Sequence, residues 1–282
     1  MQVDENSTAR VGDCTLQRNA GQGLSVLRTS SVTLFGTIVS QINGGSGLSV
    51  SSNSSAFTST TTTSSSTTLR LLNNNQNGLT INNASIASFT GITLTLENNA
   101  SSGLVVFNVS RFGISAESTL TVMNNGGDGI FIFDTSHVDL SASEPMVIAN
   151  NAFAGLFING AASVDFFGPA EIRGNGFGVG VGIAENAHLR ANDLTISSSD
   201  ILDVFNGHLS ISSSTISGIL ASFGSRLRLI DTMFDGFLCD DTVLVLSNVG
   251  TVTCPTATVA SVKRRSHMPM RPVIPQVEPV EY

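Results

Sequence analysis

One stretch of the chain decides the fold: residues 155 to 174, which read GLFINGAASVDFFGPAEIRG. Apolar residues alternate with other residues in three short segments, which hold Leu156 with Ile158, Val164 with Phe166, and Ala170 with Ile172. This alternation is typical of β-strands that bury one face. Because Gly160 and Gly168 punctuate the segments, the stretch predicts three short strands joined by tight turns.

The same phrase recurs along the chain as an asparagine, a few small residues, a glycine and an apolar-x-apolar triplet. Its copies are anchored at residues 23, 47, 78, 103, 129, 155, 180, 200, 218 and 236, in steps of 18 to 31 residues. A unit of this size cannot bury its apolar face alone, so the copies must stack. The sequence therefore predicts an all-β parallel β-helix of about ten rungs with three-strand coils, and the recurring asparagines favour side-chain ladders at the turns.

This repeat resembles that of the pectin-lyase-like superfamily over roughly residues 12 to 254. The resemblance implies a right-handed, single-stranded parallel β-helix. It does not imply one activity, because that superfamily includes lyases, hydrolases, epimerases, phage tailspikes and adhesins. Leucine-rich repeats would show helical segments, and a left-handed β-helix would show a stricter hexapeptide rhythm.

The composition divides the chain into a solenoid and a tail. Residues 1–254 are predicted to form the solenoid, with a Ser/Thr-rich loop inserted at about residues 53–68. Five of the seven prolines lie from Pro255 onward, together with Lys263, Arg264 and Arg265. Residues 255–282 are therefore predicted to be a basic, flexible tail.

Charge and hydropathy restrict the partners and the location. The net charge is −8, and acids outnumber bases further before residue 255, which disfavours nucleic acid and anionic membranes as main partners. The chain has no apolar run of 18 residues, so no membrane span is predicted. Residues 1–6 lack the features of a signal peptide, yet the composition is that of an exported protein, so we expect an extracellular, periplasmic or cell-surface location.

The cysteine spacing suggests a disulfide. Cys239 and Cys254 are fifteen residues apart, about one short coil, so a bridge between them would close the last coil. The alternative is two reduced, buried cysteines. Cys14 is predicted to be a buried strand residue.

Aligning the copies brings polar residues into outward columns on the second strand of each coil. Eight residues after the anchors lie Ser31, Arg111, His137, Ser163, His188, His208 and Arg226, and ten residues after them lie Thr33, Gly113, Asp139, Asp165, Arg190, Ser210 and Arg228. Asp139 and Asp165 should lie one coil spacing apart, about 4.8 Å. Two carboxylates so close can share a proton or hold a cation. If the chain is an enzyme, the catalytic candidates are Asp139, Asp165, His137 and Arg190; the alternative is a solvated surface.

A second column, five residues after the anchors, supplies candidate binding residues. Asp134 and Glu185 should be two coils, roughly 9 to 10 Å, apart, near the upper carboxyl spacing of inverting glycosidases. With His188 they form the candidate binding set. No metal site or cofactor is predicted, although calcium would be expected if the chain were a lyase.

Motifs of the superfamily's polygalacturonases are mostly missing. The Gly-His-Gly motif is incomplete, because Gly207-His208 is followed by Leu209. The Asp-Asp motif should precede it, but Asp240-Asp241 follows it, and the Arg-Ile-Lys motif is absent from the sequence. The chain also has no tryptophan, a residue that sugar-binding clefts commonly use.

The sequence therefore favours a non-catalytic exported module with a surface, adhesive or structural role. An extracellular polysaccharide or a cell-surface glycan is the expected partner. The first alternative is a polysaccharide lyase or glycoside hydrolase that acts on an extracellular polysaccharide. A third reading is an ice-binding solenoid, suggested by Thr-x-Thr at residues 93–95 and 119–121.

Overall fold

The computed structural model describes residues 1–58, 67–115, 117–197, 200–240 and 242–247, and these residues form a parallel β-helix. One sheet has 11 strands and the other has 17, and strands one coil apart pair in parallel. The 11-stranded sheet is called the first face. The strands of the first face are Gln2–Val3, Leu24–Val26, Leu48–Val50, Leu79–Ile81, Leu104–Val106, Ile130–Ile132, Leu156–Ile158, Val179–Ala184, Ile201–Phe205, Ile219–Ser222 and Phe237–Cys239.

The 17-stranded sheet wraps around a corner and forms the second and third faces. In each coil the strand of the second face comes first, as His137–Ser141 does, and that of the third face follows it, as Met146–Ala149 does. Its strands are Thr8–Gln17, Ser31–Gln41, Ser55–Thr58, Thr67–Leu72, Ile86–Phe89, Ile92–Glu97, Arg111–Ile114, Thr119–Met123, His137–Ser141, Met146–Ala149, Ser163–Arg173, His188–Ile196, His208–Ser212, Thr215–Ile216, Arg226–Ile230, Met233–Phe234 and Leu244–Ser247. The first face shows eleven coils rather than about ten, because Gln2–Val3 pairs ahead of the first recognised copy.

Four coils merge their second and third strands into one continuous strand. These strands are Thr8–Gln17, Ser31–Gln41, Ser163–Arg173 and His188–Ile196. A left-handed residue bends the chain at the corner in each of the four, Asp13 at φ 43°, Gly36 at φ 61°, Gly168 at φ 108° and Asp193 at φ 62°. The pairing survives the bend through a register shift, as between Phe167 and Ala170, so a tight turn is replaced by a bulge.

The inward residues form one continuous core along the axis. Leu156, Ile158, Phe166 and Ile172 are fully buried, as the alternation in residues 155–174 predicts. Each inward residue contacts its counterpart one coil away, since the strands of neighbouring coils pair in register; Val138, for example, lies beside Val164. The stacked coils therefore share a core that no single coil could build.

The predicted asparagine ladder is confirmed at the corner between the third and first faces. Its members are Asn19, Asn43, Asn74, Asn99, Asn125, Asn151, Asn175 and finally Asp200. Each side-chain amide donates to the side-chain oxygen of the next coil, at 2.8 to 3.0 Å. Each of those oxygens also accepts the backbone N–H of the previous member, as in Asn99 N to Asn125 Oδ1 at 3.1 Å. The ladder thus satisfies buried turn groups that would otherwise destabilise the fold.

A second ladder, of serines, lies at the corner between the first and second faces. The backbone N–H groups of Ser30, Ser54, Ser85 and Ser110 each donate to the serine hydroxyl one coil further along, at 3.1 to 3.2 Å. It ends at Ser136, and alanines occupy the next two coils, at Ala162 and Ala187. The sequence analysis did not identify this ladder.

The structure narrows the predicted insertion at residues 53–68. Ser55–Thr58 is a strand, because Ser55 pairs with Ser31 on one side and Ile86 on the other, and Ala56 is buried in the core. Thr67 likewise begins the strand Thr67–Leu72. Residues 59–66 lie outside the described residues, as does the predicted tail, so the domain limits stay a prediction.

The cysteine predictions are partly addressed. Cys14 is free and only partly buried in the strand Thr8–Gln17, because its coil lies near the end of the described solenoid. Cys239 is buried, while Cys254 lies outside the described residues, so their disulfide stays a prediction. Among the described segments, no helix is both long and apolar enough to cross a membrane.

Candidate functional site

The second face carries the outward columns that the alignment predicts. In one column, strand pairing places Arg111, His137, Ser163, His188, His208 and Arg226 side by side on successive coils. In the other column it places Gly113, Asp139, Asp165, Arg190, Ser210 and Arg228. The residues between the columns, such as Val138 and Leu140, point into the core, so the two columns share one solvent-facing strip.

His137, Asp139 and Asp165 lie together in this strip. His137 Nε2 is 4.0 Å from Asp165 Oδ2, with the two side chains 27% and 36% exposed. His137 Nδ1 is 2.8 Å from the hydroxyl of Ser163, and Ser141 donates a hydrogen bond to Asp139. The two carboxylates are neighbours in register, yet each contacts a different partner.

Arg190 is next to Asp165 in register but packs against an aromatic ring. Its guanidinium carbon is 5.0 Å from the centroid of Phe167, which gives a cation–π contact across one coil. This contact holds the aliphatic stem along the surface and leaves the guanidinium beside the strip.

His188 and His208 form a stacked pair one coil further along. Their rings are 4.4 Å apart with an interplanar angle of 11°. The pKa of His208 lies below its usual value, first because burial disfavours the charged form and then because His188 and Arg226 are close. The sequence analysis named His188 as a binding candidate and did not single out Arg226.

Asp134 and Glu185 lie at the turn after the first face. Both adopt left-handed backbone, at φ 62° and 54°, and Gly160 occupies the same turn position on the coil between them. Asp134 Oδ2 accepts the backbone N–H of Asn108 at 3.3 Å. Acidic side chains suit such turns, so the turn itself accounts for Asp134 without a ligand.

An outward aromatic ladder on the first face was missed by the sequence analysis. Ring centroids are 5.0 Å apart for Phe107 and Phe133, 4.8 Å for Phe131 and Phe133, and 5.8 Å for Phe131 and Phe157. The signal was present as the middle residue of the apolar-x-apolar triplets, which is phenylalanine in two successive copies. Stacking between coils removes much of this apolar surface from water.

The two threonine columns of the third face differ in length. One column spans four coils, at Thr37, Thr68, Thr93 and Thr119. The other holds only Thr95 and Thr121, because Arg70 precedes Thr95 and Val147 follows Thr121. Within the described ranges, no group of three or more His, Cys, Asp or Glu side chains is arranged to hold a metal ion. The chemistry that the second face offers is hydrogen bonding and charge, with one His–Asp pair.

Comparison with known proteins adds little to this geometry. No protein-family model matches the chain, and no curated protein matches it. One solved structure, a crystal structure of a TibC-catalysed hyper-glycosylated TibA fragment, is 13% identical; the alignment covers 86% of this chain and 97% of that one, with a TM-score of 0.34.

Proposed function

We propose that this chain is a non-catalytic, exported β-helix module that acts at a surface in an adhesive or structural role. The observation that carries the proposal is the state of the four catalytic candidates. Asp139 accepts from Ser141, His137 contacts Ser163 and Asp165, and Arg190 packs on Phe167. These contacts run within or between coils, so they hold the polar groups as a fixed outward surface.

A stacked solenoid suits such a role for a physical reason. The described coils are tied to their neighbours by strand pairing, and those up to Asp200 also by the buried asparagine ladder, so outward side chains keep their spacing of about 4.8 Å. A surface that is ordered before binding loses less conformational entropy when a partner docks. We also propose that the chain is exported, that it belongs to the pectin-lyase-like superfamily and that its partner is an extracellular glycan.

The second candidate function is a polysaccharide lyase or hydrolase, favoured by the contact of His137 with Asp165 of the next coil and by Asp139 on the same strand as His137. In that function, one group would donate a proton and another would remove one. Asp139→Asn should then abolish turnover and leave the melting temperature nearly unchanged, because the side chain is on the outward face.

A panel of glycans and polysaccharides separates the two. The full chain would be tested with and without calcium, and both binding and the release of unsaturated or reducing ends would be measured. Binding without released ends supports the module. Release of sugar ends by the parent but not by Asp139→Asn would show that the chain is an enzyme instead. Turnover that this variant leaves unchanged would exclude Asp139 and its neighbours in the strip as the catalytic site.

A further inference from the structure

The second face changes character along the axis, from acidic to cationic. Beyond Asp165, three successive coils carry His188, His208 and Arg226 in one column and Arg190, Ser210 and Arg228 in the other. We call these six residues the cationic grid. Neighbouring coils are about 4.8 Å apart, and alternate residues on a strand about 6.6 Å, so the grid covers a compact patch.

Nothing in the fold requires this cluster. The chain is acidic overall, at −8, yet the grid gathers three arginines and two histidines. The ion pairs of the described residues join Arg28 to Asp4 and Glu5, His137 to Asp165, and Arg173 to Glu171, so none neutralises the grid. The pKa of His208 is lowered first by burial and then by the neighbouring His188 and Arg226, and an anion bound beside these groups would relieve the second effect.

The donors of the grid have the chemistry of an oxyanion site. Arg226 and Arg228 are exposed at one edge, Arg190 is positioned by Phe167 at the other, and the Ser210 hydroxyl lies between. Guanidinium groups bind oxyanions through paired N–H donors, and a hydroxyl adds one more. We propose that the cationic grid binds the sulfate groups of a sulfated polysaccharide.

A single polysaccharide chain fits the patch better than other polyanions. Asp139 and Asp165 lie on the coils to one side of the grid, and exposed Leu244 and Leu246 lie on the other. A nucleic-acid duplex is wider than the grid, so its phosphates would extend over the two carboxylates. A narrow chain can place its sulfates on the grid and avoid them.

The pH dependence of the binding affinity tests whether the ligand is anionic. A sulfate ester stays ionised throughout the range in which histidine titrates, and bound sulfate should raise the pKa of His208. In the free protein, burial lowers the pKa of His208 most, and the neighbouring His188 and Arg226 lower it further. Affinity should therefore rise as pH falls from about 7.5 to about 5.5, since His208 should take up a proton more readily in the complex.

The test uses heparin as the sulfated probe and the full chain in calorimetry, with desulfated heparin, polygalacturonate and a DNA duplex as comparators. The double variant Arg226→Gln/Arg228→Gln should lose about tenfold or more in heparin affinity, since it removes two guanidinium groups that would donate charge-assisted hydrogen bonds to sulfate oxygens. Arg70→Gln, an exposed arginine on the third face, is the matched control and should bind as the parent does.

Sulfate binding by the grid rests on the proposed function of the chain as a non-catalytic binding module. The experiment can nevertheless contradict either one without the other. Heparin binding that falls in the double variant, persists in Arg70→Gln and exceeds binding of the three comparators supports the grid. Unchanged affinity in the double variant, absent heparin binding, or equal affinity for the duplex would overturn it. Binding of another glycan alone would overturn the grid and leave the module, whereas released sugar ends would overturn the module.

Discussion

The coils that precede Asp200 and those that follow it are closed in different ways. In the earlier coils, buried side-chain amides join neighbours 24 to 31 residues apart, as from Asn43 to Asn74 and from Asn151 to Asn175. In the later coils the ladder has no continuation among the described residues, and cross-coil contacts at the other corner, between the first and second faces, span 17 and 18 residues and are exposed, as from Phe223 N to Asp240 and from Gly224 N to Thr242. The asparagine ladder therefore coincides with the larger coils and stops where the coils shorten.

The apolar core itself continues past that boundary, since Leu202, Val204 and Leu229 are fully buried. Partly buried inward residues lie near the two ends of the described solenoid, at Ala9, Cys14 and Leu16 and at Phe234, Phe237, Val243 and Val245. This difference teaches that the ladder marks the part of the solenoid with the highest local stability because of its buried side-chain hydrogen bonds, not because of deeper apolar burial.

The largest expected effect comes from placing a charge in the core of the earlier coils. Phe166→Asp should prevent folding of the middle coils, because an unpaired carboxylate replaces a fully buried ring at a cost of more than about 4 kcal/mol. Circular dichroism melting would measure it. Leu246→Asp, at an outward position 61% exposed, is the control and should melt like the parent. A folded Phe166→Asp protein with the parent's melting temperature would contradict the register.

A smaller loss is expected from breaking one rung of the ladder. Asn125→Ala removes the acceptor of two bonds from Asn99 and the donor to Asn151 and to Leu96 O, all buried. Leaving these groups unsatisfied should lower the free energy of unfolding by about 3 to 5 kcal/mol, measured by urea titration.

The matched control is an exposed cross-coil amide. Asn192 accepts only an exposed hydrogen bond from Ser212, at 3.2 Å, so Asn192→Ala should change stability by less than about 0.5 kcal/mol. Equal losses in the two variants would mean that burial of the ladder does not matter.

The smallest expected effect is a change in melting temperature caused by replacing Asp203, an acid in the later coils. Burial raises the pKa of Asp203, so this residue favours the fold below the ordinary value of 3.8 and loses that contribution as pH rises through the higher folded value. Asp203→Asn should therefore melt above the parent at pH 7, and the gap should shrink as pH approaches 3.8. A gap that grows on acidification would show that the carboxylate is stabilised by a partner instead.

The sequence predicts most of this fold because period-two alternation reports directly on which residues face inward. It identifies the inward positions of residues 155–174 and the asparagine column. It does not show that Gly36 or Gly168 bends a strand without ending it, because a left-handed glycine reads as a turn in either case. It also treats residues 53–58 as loop, because serine-rich strands lack an apolar pattern.

The columns of the candidate site are predictable for the same reason, since alignment of the copies gives the register. What each side chain contacts is not, because Ser141, Ser163 and Phe167 become partners through rotamers and coil spacing. The aromatic ladder was overlooked because outward positions are expected to be polar, and Phe131 and Phe157 break that expectation while stacking on each other.

Native-state hydrogen exchange tests the central contrast most directly. The backbone amides of Asn99 and Asn125 donate to buried side-chain oxygens of the next coil, and those of Phe223 and Gly224 donate to exposed ones. We predict that the asparagine amides exchange only through the largest opening of the solenoid and that the later pair exchanges many-fold faster. Equal protection of the two pairs would contradict the account.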